Sequence, residues 1–353
     1  MIIDRIAKQL LADANLSPLV KALAAHQDAT LSVGQSGRAL MLASLWAKDP
    51  RPCLYVVSGE ELADRAARTL QAWLGLEQVE RYPMREDLPW KDTKPNMAVL
   101  GARTQALASL ATGEPRIVVA SARALLRRVP PAEVPFWQTL RYEVGQEVPY
   151  EKIGGALLAA GYVNLGEAAE PGSFGIHGDN VDVYPAQGTN PVRLEFFGDE
   201  IDRIRRLVPA TGQTIGDLDA VEFQPAREYA LTDETVKRAE HALWDRARES
   251  SAVAADLEAI TARIPNPQTE RYLAQLYGST ASPIDHICKE ALVCLNEPRA
   301  LFDDCLRAYD DLAASASAAK LKPELAELYT DPRKLDFGSQ QRLNFSSLNT
   351  AGT

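Results

Sequence analysis

The chain has 353 residues, 46% of them apolar, and a net charge of −10 with an isoelectric point of about 5.1. That is long enough for two or three domains with real cores and too acidic for a general electrostatic attraction to nucleic acid, so any DNA contact has to be local. Met1 is followed by Asp4, Arg5 and Lys8 rather than an apolar run, and no later stretch approaches membrane-spanning length. A cytoplasmic protein without a membrane partner is expected.

In chain order, apolar runs first alternate with helical stretches. The pattern predicts strands at Leu31–Val33, Cys53–Val57, Val79–Tyr82 and Ile117–Ala120, with helices from Arg38, over Glu60–Leu74 and near Met97–Ala111. Short strands of this kind, separated by helices, imply a parallel sheet covered on both faces. Val129-Pro130-Pro131 is a natural stop. From Leu140 to Glu228 the rhythm changes to one helix, Tyr150–Ala160, and then short alternating strands with Gly turns, as in a small α+β domain. From Leu231 come Ala-rich helices, an apolar strand at Ala291–Leu295 and a helix from Pro298. Cys53 sits in an apolar run, Cys288, Cys294 and Cys305 are irregularly spaced, and only four His accompany them. Buried reduced thiols are expected rather than a metal site.

Val33-Gly34-Gln35-Ser36-Gly37-Arg38-Ala39-Leu40-Met41 follows a predicted strand and opens a helix, the setting of a phosphate-binding loop. A working loop ends in Gly-Lys-(Ser/Thr), because the Lys reaches the β- and γ-phosphates and the hydroxyl holds Mg²⁺. Counted from Gly34, those places hold Ala39, Leu40 and Met41. The loop reads as degenerate. Ala291-Leu292-Val293-Cys294-Leu295-Asn296-Glu297 has the shape of a strand ending in an acidic pair, but Asn296 stands where a magnesium-organising acid belongs. No ATP hydrolysis, bound cofactor, catalytic residue or metal is expected in this chain.

In Pro191-Val192-Arg193-Leu194-Glu195-Phe196-Phe197-Gly198-Asp199-Glu200-Ile201, alternation puts Val192, Leu194 and Phe196 on one face of a strand. Phe197 falls on the other, beside Arg193 and Glu195. An aromatic among charges on a wet face is what a protein-binding surface presents. The alternative is that Phe197 covers the edge of its own sheet. Gly198-Asp199-Glu200 supplies a tight turn, and Ile201–Leu207 reads as the returning strand of a hairpin.

Together with Gly161-Tyr162, Gly172-Ser173-Phe174-Gly175-Ile176-His177-Gly178 and Val181-Asp182-Val183-Tyr184-Pro185, this run resembles the second domain of the UvrB-homology module. That module occurs in the bacterial transcription-repair coupling factor (Mfd) and in the excision-repair protein UvrB. Tyr82 to Trp90 is similar to the Phe-Pro-x-Trp-Glu-x-Leu-Pro-Tyr segment of the coupling factor, with Trp90 in the place of Tyr. The aromatic-rich hairpin that UvrB places after its first strands has no counterpart there.

The resemblance implies a RecA-like α/β domain with a degenerate phosphate loop (Gly34, Gly37, Leu40, Met41), interrupted by a small inserted α+β domain. It divides the chain at 1–139, 140–228 and 229–353, the last part returning to the first domain's sheet and ending in a tail. It also implies that UvrA is the partner, bound through Arg193, Phe197 and the position of His177, where the family carries an Arg. His is mostly neutral at pH 7 and lacks the planar fork of Arg. The alternative reading of His177 is a turn residue hydrogen-bonded to its own loop. RNA polymerase, DNA and an ATP-driven translocase belong, by the same resemblance, to other domains of a longer protein.

Two other functions are open to this sequence. A UvrB-like, nucleotide-dependent binder of damaged DNA needs a Lys where Leu40 stands. A plain DNA-binding module is suggested by Arg203, Arg205, Arg206 and the Arg127-Arg128 pair, although charge runs of this size usually form a solvated face.

Overall fold

The computed structural model describes residues 2–347 except 92, 135–137, 189, 265, 267 and 320–323. One of its two six-stranded sheets is parallel throughout. Naming elements in chain order, it contains β1 (Ala29–Ser32), β2 (Cys53–Val57), β3 (Val79–Tyr82), β4 (Ile117–Ser121), β13 (Leu292–Asn296) and β14 (Gln341–Ser346). They are arranged β1-β14-β13-β2-β4-β3. Every residue of β2, β4 and β13 is buried, as required when helices cover both faces of a parallel sheet.

One face packs on α1 (Ile2–Leu10), α2 (Ser17–Ala24), α3 (Gln35–Lys48) and α4 (Glu60–Leu74), through Tyr55, Val119, Cys294, Leu343 and Phe345. The other packs on α5 (Met97–Thr112) and, beyond the insert, α10 (Pro298–Ser317), through Leu54, Val56, Val118 and Val293. Cys53, Cys294 and Cys305 are buried in these layers and Cys288 is half-buried; all four are free thiols.

Between β4 and β13 the chain leaves this domain and returns. β5 (Leu140–Glu143) pairs antiparallel with β12 (Ala220–Phe223), Leu140 opposite Phe223, so the two ends of the inserted segment lie side by side. Within it, α6 (Tyr150–Ala159) packs Ile153 and Leu157 against a six-stranded sheet. That sheet contains β6 (Val163–Asn164), β7 (Ser173–His177), β8 (Asn180–Val183), β9 (Val192–Phe197), β10 (Glu200–Leu207) and β11 (Thr214–Leu218). Its order runs β11-β10-β9-β8-β7-β6. After the insert, α7 (Asp233–Glu249) and α8 (Ser251–Thr261) form a helical hairpin with its own core around Tyr229, Leu243 and Tyr272. The short helices α9 (Leu273–Tyr277) and α11 (Leu325–Leu328) flank β13 and α10.

The insert is seated on α5. Gly101 allows the close approach, since a Cβ there would lie 2.8 Å from the Ala186 carbonyl carbon. Thr104 donates to the Pro225 carbonyl at 2.8 Å. Where the chain leaves the insert, Glu228 enters a buried ionic cluster. Arg103, fully buried, donates to it at 2.9 Å and stacks over Tyr82 at 4.0 Å. Arg85 bridges Glu228 and Glu270, and Arg127 donates to Glu270 at 2.7 Å. Burial alone would raise the Glu270 pKa, but Arg85 and Arg127 bring it down to about 2. A buried charge persists only when paired in this way.

Candidate functional site

Helix α3 begins at Gln35 with Gly34 as its N-cap, earlier than the Arg38 start expected from the sequence. A phosphate cradle needs successive backbone N–H groups turned toward one point before the helix starts. Here Gly37 lies inside the first turn, where a Cβ would meet Val33 Cγ2 at 3.1 Å. Met41 is buried, and Leu40 is partly buried against the same core. The positions that would hold Lys and Ser/Thr therefore pack the helix onto the sheet.

Arg38 was not singled out from the sequence, yet it organises this end of the sheet. It is 2% exposed. Its Nε donates to the Val33 carbonyl at 3.1 Å, Nη1 donates to Asn296 Oδ1, and Nη2 reaches Glu297 Oε1 and, at 3.3 Å, Ser347 Oγ. A side chain from the first turn of α3 thus joins the end of β13 and the end of β14. Ser347 donates to Glu297, and that hydroxyl, with Arg38 behind it, holds the Glu297 carboxyl below its usual range. Glu297 itself adopts a left-handed backbone, φ 56°, a conformation costing a non-glycine residue of order 1 kcal/mol.

The second location is the outer face of the insert's sheet. β9 alternates as its sequence predicts: Val192, Leu194 and Phe196 are buried, while Arg193 and Glu195 are half-buried and Phe197 is exposed. Phe197 is 82% exposed, the highest value among the large apolar side chains described. It does not cover its sheet's edge, because β9 is internal, with β8 on one side and β10 on the other. Tyr150 packs edge-on against Phe196 from the inner side, centroids 5.1 Å apart.

Cross-strand register fixes which side chains share the outer face, since opposed residues point the same way. Gly175, Asp182, Arg193, Arg205 and Asp217 form one row, and His177, Asn180, Glu195 and Arg203 the next. Phe197 stands one step further along β9. His177, Arg193 and Phe197 therefore lie on one face, drawn from two strands with β8 between them. The His177 side chain is exposed and makes no hydrogen bond to its own loop among the described residues, contrary to the alternative entertained for it. Gly175 has to be glycine because the loop at residues 166–167 crosses it: a Cβ would come within 2.3 Å of the Gly166 carbonyl oxygen.

The charges of this face are largely paired within it. Arg193 grips Asp182 with two bonds of 2.7 Å. Arg205 lies 3.0 Å from Glu195 and 3.5 Å from Asp217, which offsets the repulsion of having Arg193 directly opposite. Of the basic groups considered for DNA binding, Arg127 is buried in the ionic cluster, not on a solvated face, and Arg128 donates to Thr280 at 2.7 Å, whereas Arg203 and Arg206 are exposed. No group of side chains suited to a metal ion occurs among the described residues. No helix among them is long and apolar enough to cross a membrane.

A parallel α/β domain carrying an inserted domain, whose sheet is antiparallel from β7 to β11 and leaves Phe197 exposed on its outer face, is the class of protein these features define. Residues 140–229 match the UvrB interaction domain family. The transcription-repair-coupling factor of Myxococcus xanthus is 37% identical over 215 residues, 59% of this chain and 18% of that protein. That of Bacillus subtilis is 26% identical over 282 residues, 74% of this chain and 23% of that protein. The UvrABC system protein B of Halobacterium salinarum is 30% identical over 228 residues, 61% of this chain and 33% of that protein. Residues 140–229 thus carry a UvrB interaction domain, and the chain is similar to part of the coupling factors and of the UvrABC system protein B. The matches span about a fifth of the length of those coupling factors.

Proposed function

We propose that this chain is a recruiting module of transcription-coupled excision repair that binds UvrA through the outer face of β7–β10, with Phe197 as apolar anchor, Arg193 as polar contact and His177 at the rim. The observation that carries the reading is Phe197, 82% exposed on an internal strand of a UvrB interaction domain. A monomer has no folding reason to leave a phenylalanine there, whereas a partner pocket gains most from such a ring. RNA polymerase, DNA and ATP-driven translocation belong, on this reading, to other parts of a longer protein. Titrating UvrA into the chain and into Phe197→Ala tests it. Binding by the parent that weakens at least about tenfold in the variant supports the proposal; equal binding by both refutes the assigned face.

The reading includes the absence of nucleotide chemistry in this chain. Arg38 bridges the start of α3 and the end of β13, and Leu40 and Met41 stand where a Lys and a hydroxyl would grip phosphate and Mg²⁺. Melting temperature should not change with millimolar MgATP, and no phosphate should be released. A clear shift would instead favour a UvrB-like, nucleotide-dependent binder of damaged DNA.

A further inference from the structure

Arg193 uses one edge of its guanidinium internally. Nε and Nη2 hold the two carboxylate oxygens of Asp182, both at 2.7 Å, from the residue directly opposite on β8. Among the described residues nothing else accepts from it, so the other edge, Nη1 and the second hydrogen of Nη2, remains for a partner, and its side chain is 31% exposed. Asp182 is nearly buried, 9% exposed, and is itself braced by its place in the middle of the sheet. A fork gripped from behind keeps one rotamer, and a side chain already ordered loses less freedom on binding. The same pairing cancels most of the fork's charge. The group it meets across the interface therefore has no need to be a carboxylate; a neutral acceptor such as a pair of backbone carbonyls suits it.

Resting on the UvrA-binding reading above, we infer that Asp182 is the positioning residue of the docking face, presenting Arg193 as a rigid, charge-compensated donor pair to neutral acceptors on UvrA. The opposite role, in which Asp182 merely competes with an acidic partner for Arg193, predicts the opposite sign. Asp182→Asn keeps the shape and removes the charge. It should weaken UvrA binding about threefold to tenfold, the usual cost of an unordered long side chain at an interface. The loss should act through Arg193, so that adding Asp182→Asn to Arg193→Ala changes affinity less than about twofold.

The Nε–H proton of Arg193, seen by nitrogen-15 NMR of the free chain, provides a readout independent of UvrA. It should be protected from exchange in the parent and lose that protection in Asp182→Asn, with the melting temperature held within a few degrees as a check on folding. Tighter binding by Asp182→Asn at low salt, unchanged binding, or an unprotected Nε–H in the parent would each overturn the inference. If the parent itself fails to bind UvrA, the docking reading falls and this inference with it; if the parent binds and only the Asp182 effect is missing, the docking reading stands alone.

Discussion

Arg38 in the parallel domain and Arg193 in the insert each reach an acidic side chain on another element, but they differ in what is left of the guanidinium. Arg38 is enclosed, and its donors are distributed over Val33, Asn296, Glu297 and Ser347. Arg193 gives one edge to Asp182 and keeps the other toward solvent. A related contrast appears elsewhere: Arg85, Arg103 and Arg127 are buried in ionic pairs, while β10 of the insert leaves Arg203 and Arg206 exposed. An arginine in a sequence thus has two outcomes: its donors are all used inside the fold, or some are left toward solvent. In the parallel domain arginine is locked inside the fold; in the insert it keeps one edge toward solvent.

Substitutions test this division, beginning with the largest effect. Arg103→Ala should destabilise the chain by about 3–5 kcal/mol in urea unfolding, because it leaves Glu228 buried and poorly paired. A loss under about 1 kcal/mol would mean the cluster is hydrated and the contrast false. Acid is the next probe. The Glu270 carboxyl is held at about 2 against an ordinary 4.5, so its contribution is fully present above pH 4.5 and is lost as pH falls from there toward 2. That amounts to roughly 3 kcal/mol, and stability measured across this window should decline with a slope that Glu270→Gln flattens. Arg38→Ala should cost about 2 kcal/mol, less than Arg103→Ala because Glu297 is partly exposed and can be solvated. Arg193→Ala should cost under about 1 kcal/mol, as expected for a part-exposed pair; equal losses at the two sites would erase the comparison.

On the docking side the effects are in affinity. Phe197→Ala should weaken UvrA binding about tenfold and leave the melting temperature within a few degrees, since the ring touches little of its own domain. The smallest effect expected is that of His177→Arg, which should strengthen binding by no more than about threefold, because the position lies at the rim of the face.

Local patterns made the architecture legible. Cys53–Val57, Val79–Tyr82 and Glu60–Leu74 were readable from apolar runs and helical spacing, and the alternation of Val192 to Phe196 assigned the faces of β9 correctly. What was hidden depends on distant partners. The helix start at Gln35 was missed because Gly34 and Gly37 read as loop residues, while the acceptors that define Arg38 lie 258 and 259 residues away. Arg127 looked like surface charge because Glu270, which buries it, is 143 residues along the chain. β14 left a weak signal: Gln341–Ser346 alternates polar and apolar like an exposed strand, yet it occupies an internal place in the sheet, with Leu343 and Phe345 wholly buried.

That position of β14 bears on the order in which the molecule can be built. β1 pairs with it from Ala29–Leu343 to Ser32–Ser346 and with no other strand among the described residues, so β1 waits for a partner made 314 residues later. From β7 to β11, by contrast, each strand of the insert pairs with the next in sequence, and its closing pair, β5 with β12, is complete by Phe223. Near contacts form faster than far ones. During synthesis the inserted domain can therefore mature first, on a parallel sheet still missing two interior strands, and slow joining of β1, β14 and β13 becomes the step at which nascent chains are most exposed to mispairing.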